Sequence, residues 1–179
     1  MIKHLQLILG GARSGKSHFA LNQGDENAFD SRIYLATASA GDEEMKSRIE
    51  RHRAQRNPRW RTLEEPYDLL GALGSCAVSP GGLVVVDCAT LWISNLLCGV
   101  GGKSLPAAEI ETLFNNLVKA LPQWKGSLRI VSNEVGLGIV PENPQGREFR
   151  DLQGRFNQLM ASVATQVILM VAGLRQKIK

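Results

Sequence analysis

The chain has no apolar run long enough to cross a membrane. Its most apolar stretch, Leu83 to Val100, is broken by Asp87, Ser94 and Asn95, whereas a spanning helix needs about 20 predominantly apolar residues. Lys3 and His4 precede an apolar run that Gly10 and Gly11 close too soon for a secretory leader. Cysteine is scarce: Cys76, Cys88 and Cys98 are odd in number and lack metal-ligand spacing. A disulfide framework is therefore not expected, and a reduced, cytoplasmic setting is. Tyrosine and tryptophan number only 2 and 3, and none interleaves with a basic run. That argues against a base-stacking platform for nucleic acid, although the net charge is +4 and the pI about 9.1. The guanine-reading Asn-Lys-x-Asp segment of switch GTPases is missing; Ser132-Asn133-Glu134-Val135 comes nearest and does not fit. Repeats, low-complexity tracts and linkers are absent too, so residues 1–179 are expected to form one domain.

What is present begins at the first glycines. Gly10-Gly11-Ala12-Arg13-Ser14-Gly15-Lys16-Ser17 fits G-x-x-x-x-G-K-[ST] in full. Leu5–Leu9 before it reads as a short buried strand, and Ser17–Gln23 after it continues as a helix. Strand, glycine-rich loop and helix make a phosphate-binding loop: the backbone turns tightly, and its N–H groups point at phosphate oxygens beside the positive end of a helix dipole. Lys16 is expected to reach the β and γ phosphates, and the Ser17 hydroxyl to help hold Mg²⁺. The mild positive charge suits such anionic substrates.

Further along, short apolar runs alternate with longer helical patterns. Strands are expected at Leu5–Leu9, Arg32–Ala36, Leu83–Asp87, Leu128–Ser132 and Val167–Val171. Helices are expected near Ser17–Gln23, Asp42–Gln55, Leu91–Leu97, Ala107–Leu121 and Glu148–Thr165. This alternation predicts an α/β fold of the P-loop NTPase, RecA-like type, with a mostly parallel sheet and helices on both faces. Leu83-Val84-Val85-Val86-Asp87 describes a buried strand that delivers a carboxylate at its C-terminal edge. With a phosphate loop in the same chain, Asp87 is a candidate to orient Mg²⁺ or its water.

Asp42–Arg56 has acids in its first turn and Arg51, Arg53 and Arg56 in its last, matching the helix dipole at both ends. Met45, Ile49, His52 and Arg56 share one face by spacing. Nearby positive charge lowers a histidine's pKa and keeps the imidazole neutral, which suits a histidine meeting phosphate. A solvated surface, or the edge of the core, also accommodates a histidine among arginines, and spacing does not separate these readings.

Over nearly its whole length the chain resembles a known family, the bifunctional adenosylcobinamide kinase / adenosylcobinamide-phosphate guanylyltransferases of cobalamin biosynthesis. The resemblance is carried by the phosphate loop, Tyr34-Leu35-Ala36-Thr37-Ala38, Arg48-Ile49-Glu50-Arg51-His52-Arg53 and Trp60-Arg61-Thr62-Leu63-Glu64. Its most specific parts are Ser132-Asn133-Glu134-Val135-Gly136-Leu137-Gly138-Ile139-Val140-Pro141-Glu142 and Phe149-Arg150-Asp151-Leu152-Gln153-Gly154-Arg155-Phe156-Asn157-Gln158. The resemblance implies ATP or GTP as phosphate donor to adenosylcobinamide, then transfer of GMP from GTP to that phosphate through a guanylyl-histidine. The matching position is His52. It further implies a nucleotide site of Gly10, Gly11, Ala12, Arg13, Ser14, Gly15, Lys16 and Ser17, with Ala36, Thr37 and Ala38 beyond the second strand. Arg53, Ala54, Gln55, Arg56, Glu64 and Asp87 complete that site, and a homotrimer is implied as well. Thr165, Ala38 and the proline-free tail Gly173-Leu174-Arg175-Gln176-Lys177 depart from the family pattern.

Two other readings stand beside this one. A small P-loop kinase with a structural His52 would transfer only a γ-phosphate and never label the protein. A RecA-like switch or nucleic-acid-binding ATPase would show strong, salt-sensitive binding to nucleic acid. For Trp92, Trp124, Phe149 and Phe156, core packing is expected rather than a corrinoid surface.

Overall fold

In the computed structural model, which describes residues 4–23, 29–39, 58–76 and 79–179, seven strands form one sheet. The strands are β1 (His4–Gly10), β2 (Arg32–Ala36), β3 (Arg61–Glu64), β4 (Leu83–Asp87), β5 (Ser127–Val131), β6 (Gln166–Val171) and β7 (Leu174–Lys177). Their order is β3-β2-β4-β5-β1-β6-β7, all parallel except β7, which runs antiparallel to β6. The helices are α1 (Lys16–Asn22), α2 (Leu69–Ser75), α3 (Ala89–Cys98), α4 (Ala107–Ala120) and α5 (Pro144–Val163). The parallel strands expected from sequence are there because each is largely buried on both faces and reads as a mostly apolar run, with Gln6 in β1 and Arg129 in β5 as buried polar exceptions.

One rung crosses the sheet: Glu64, Ala36, Asp87, Val131, Ile8 and Ile168 are successive Cα partners. Side chains at one level of parallel strands share a face. Ala36, Val131, Ile8 and Ile168 pack together with Ala20 of α1, so Asp87 stands on the α1 face. The opposite face carries α2 to α5. Its centre is an aromatic cluster in which Trp92, Phe114 and Phe156 lie 5.1 to 5.8 Å apart between ring centroids. Trp92 and Phe156 are thus core, and Trp124 and Phe149 pack partly buried against the same cluster.

Three elements were not anticipated. β3 is a four-residue edge strand, and α2 is seven residues long with two glycines, too short and too irregular for periodicity to find. β7 follows a two-residue turn in which Ala172 (φ 50°) and Gly173 (φ 81°) are both left-handed, the signature of a type I′ hairpin. α5 starts at Pro144, earlier than expected, because Asn143 caps it by accepting a hydrogen bond from Gly146 N at 2.6 Å, with Pro144 in the first turn. Thr165 has a structural use: its Oγ1 donates to Leu5 O at 2.8 Å and accepts from Leu5 N at 3.1 Å, aligning β6 with β1.

Candidate nucleotide site

The loop between β1 and α1 lies at the C-terminal edge of the sheet. Gly10 has φ 148° and Gly15 φ 95°, both in the region that favours glycine. Ser14 N donates to Gly11 O at 3.3 Å and Phe19 N to Gly15 O at 2.9 Å, closing the loop into the first turn of α1. Gly173 N, at the tip of the β6–β7 hairpin, donates to Ser14 O at 3.0 Å. The tail whose sequence departs from the family pattern therefore braces the loop. Lys16 is buried and folds back over it, with Nζ 2.6 Å from Gly11 O and 3.5 Å from Ser14 Oγ. The ammonium is thereby held over the loop.

The far end of α1 is fixed from within the sheet. Arg129 of β5 donates from its guanidinium to Ala20 O at 2.6 Å and to Gln23 O at 2.8 Å, satisfying carbonyls that the last turn leaves unpaired. Burial, and then the charge of Arg32, lower its pKa to about 10, so it remains a cation at neutral pH.

Asp87 ends β4, two strands from β1 with β5 between. Its Oδ2 accepts a hydrogen bond from the Tyr34 hydroxyl at 2.9 Å. Glu64 ends the edge strand β3 and is exposed. Between them Ala36 is buried and Thr37 is 0% exposed. Thr37 Oγ1 donates to Cys88 O at 2.7 Å and accepts from Cys88 N at 2.9 Å, while Asn95 Nδ2 donates to Thr37 O at 2.8 Å. Thr37 thus shapes the backbone beside Asp87 through its buried hydroxyl, and Ala38 follows, half-buried. Burial, reinforced by the charge of Asp87, pushes the Cys88 thiol up to about 11. It is not a nucleophile at neutral pH.

The helix expected over Asp42–Gln55, with His52, Arg53, Ala54, Gln55 and Arg56, lies outside the described residues. The described part of the site therefore comprises the phosphate loop, the Ala36–Ala38 segment, Glu64 and Asp87.

A further group at this edge belongs to a motif whose members the sequence pattern alone gives no roles. Beyond β5 the chain stays bonded alongside β1: Ser132 N donates to Ile8 O at 2.9 Å and Glu134 N to Gly10 O at 3.2 Å. Beneath it lies a polar network from α5. Asn157 Nδ2 donates to Glu134 Oε1 at 2.9 Å and to Asn133 O at 3.0 Å. Asn157 Oδ1 accepts from Ser132 Oγ at 2.7 Å and from Gln153 Nε2 at 3.1 Å. The signal was available, since Gln153 and Asn157 are polar residues spaced i, i+4 beside the apolar stripe of Leu152, Phe156 and Met160.

A glycine-rich loop on a parallel sheet, with its lysine folded over it, defines a P-loop nucleotide-binding protein of the α/β class. Solved structures agree on the fold alone. The flagellar accessory protein FlaH of Methanocaldococcus jannaschii matches at a TM-score of 0.50 and 16% identity, covering 99% of this chain and 80% of that one. An ATPase of the type III secretion system of pathogenic bacteria matches at 0.54 and 12%, covering 98% and 57%. The family model for cobinamide kinase / cobinamide phosphate guanyltransferase matches residues 6–178, and the chain belongs to that family. It is 43% identical to the bifunctional adenosylcobalamin biosynthesis protein CobP of Pseudomonas aeruginosa, over 97% of this chain and 96% of that protein. It is 40% identical to CobU of Escherichia coli, over 97% and 98%, and 38% identical to CobU of Salmonella typhimurium over the same shares.

Proposed function

We propose that the chain performs both reactions of its family on one nucleotide site. The observation that carries this reading is an intact phosphate loop, with Lys16 held over it by Gly11 O, in a chain that matches the family end to end. In the first reaction a triphosphate, ATP or GTP, gives its γ-phosphate to the side-chain hydroxyl of adenosylcobinamide. In the second, the imidazole of His52 attacks the α-phosphorus of GTP and pyrophosphate leaves. The phosphate of adenosylcobinamide phosphate then attacks the guanylyl-histidine, giving adenosylcobinamide-GDP and freeing His52. A covalent intermediate divides one difficult displacement into two easier ones.

Gly10 to Ser17 would cradle the phosphates, and Arg53 and Arg56 would offset charge on the leaving pyrophosphate. The Ser17 hydroxyl and the Asp87 carboxylate are oxygen donors of the kind Mg²⁺ takes, and the ion would enter with the triphosphate and neutralise its charge.

The test is incubation with Mg²⁺ and GTP labelled on the α-phosphate, followed by denaturing electrophoresis. Wild-type protein is expected to carry an acid-labile, alkali-stable label that His52→Ala lacks, with part of the kinase activity surviving in the variant. An unlabelled wild type that still turns over would leave a plain P-loop kinase.

The reading extends to a homotrimer in the cytoplasm. Among the described residues no helix is long and apolar enough to cross a membrane. Sedimentation equilibrium is expected to give three times the chain mass of 19.5 kDa; a monomer mass would remove the trimer from the proposal.

A further inference from the structure

The kinase reaction needs a group to take the proton of the attacking hydroxyl, and nothing so far supplies one. Among the described residues, Glu64, Glu65, Asp87 and Glu134 end strands or directly follow them at the phosphate-loop edge, and Glu65 accepts from Tyr67 N at 2.8 Å and Asp68 N at 2.9 Å. Glu64 closes β3, four strands from β1, roughly 19 Å away at sheet spacing. Asp87 closes β4, is engaged by Tyr34, and is the acid suited to the metal. Of these, Glu134 follows β5, a strand paired with β1, and its backbone N–H is bonded to Gly10 O, the first residue of the loop, at 3.2 Å.

Its carboxylate is also held. Asn157 spends both amide protons on Glu134 Oε1 and Asn133 O, and its carbonyl oxygen receives Ser132 and Gln153. A reversed amide would set that oxygen against a carboxylate and a carbonyl, so the network has one orientation. Ser132 and Gln153 are 0% exposed and Asn157 is 5% exposed. Burying this many polar groups on a helix face otherwise used for the core is costly even when most bonds are made, and Gln153 Oε1 is buried without a partner. Here the bonds converge on Asn157, which in turn holds one half-exposed acid, Glu134. The chain leaving Glu134 then exposes Leu137 (83%) and Ile139 (97%), so the carboxylate stands at the border of the polar loop and an apolar surface.

We infer that Glu134 is the proton acceptor of the kinase reaction and that Asn157 is its positioning residue. The acceptor hydroxyl gives its proton to Glu134 as its oxygen bonds to the γ-phosphorus. The bond from that phosphorus to the bridging oxygen breaks, the nucleoside diphosphate leaves, and Glu134 returns the proton to water. This inference rests on the proposed kinase activity.

The decisive variant is Glu134→Gln, which keeps an oxygen to accept from Asn157. General-base removal costs about 10²- to 10⁴-fold. Kinase kcat is therefore expected to fall at least 100-fold, with the KM for the triphosphate within about threefold. Guanylyl transfer, measured with phosphorylated acceptor supplied, should lose at least tenfold less than the kinase does. Glu134→Asp should recover part of the kinase rate. A kinase kcat in Glu134→Gln within twofold of wild type overturns the inference. Equal loss in both reactions also overturns it, because it would mean a shared role in holding the triphosphate. A wild type without kinase activity would overturn the proposed first reaction and this inference with it.

Discussion

Lys16→Ala is expected to lower kcat/KM of both reactions by at least 10²-fold while the protein remains folded. Lys16 donates to Gly11 O at 2.6 Å and lies over the loop proposed to cradle the phosphates. Its ammonium is therefore a fixed charge over the loop proposed to hold the β and γ phosphates. Removing one preorganised donor from such a site costs about 10²- to 10³-fold, and a charge-assisted bond is worth about twice a neutral one. Both reactions need the same triphosphate held, so both should fall together. Fluorescent-nucleotide titration and the two activity assays check this. Full guanylyl transfer in Lys16→Ala would mean that the second reaction uses a different nucleotide site. This shared loss separates Lys16 from His52 and Glu134, each of which is expected to affect one reaction far more than the other.

Gly10→Ala and Gly11→Ala should differ sharply although they are neighbours. A Cβ at Gly10 would fall onto the carbonyl oxygen of Met170, with Ser14 Oγ 2.7 Å away, and the φ of 148° is strained for any side chain. Met170 is paired with Gly10 in the β1–β6 ladder, so its carbonyl has nowhere to move without opening the sheet. Overpacking of this kind costs about 1–3 kcal/mol, and an unfavourable φ adds about 1 kcal/mol or more. A Cβ at Gly11 meets nothing within 4 Å. Thermal unfolding without nucleotide should therefore show Gly10→Ala several degrees below wild type and Gly11→Ala close to it. Nucleotide binding should be lost in Gly10→Ala. Equal melting temperatures for the two variants would contradict the close packing of Gly10 on β6.

The strands that position the site were legible because a parallel strand buried on both faces is a continuous apolar run. Arg32–Ala36 and Leu83–Asp87 were read to the residue, and β1, β5 and β6 to within one. The phosphate loop was legible for a related reason: its function is backbone geometry, and glycine spacing encodes that geometry locally. β3, α2 and β7 were hidden, the first two by brevity and the third because all four of its residues are exposed and its pairing depends on the turn at Ala172 and Gly173.

What the sequence determined by itself is therefore whatever depends on near neighbours: the loop, the apolar strands, and through its motifs the family. Tertiary structure decided which distant residues act together. Glu134 and Asn157 are 23 positions apart, Thr37 and Cys88 51, and Arg129 and Ala20 109. Their hydrogen bonds exist only after the sheet has ordered its strands, because side-chain geometry across that separation is set by packing and not by periodicity.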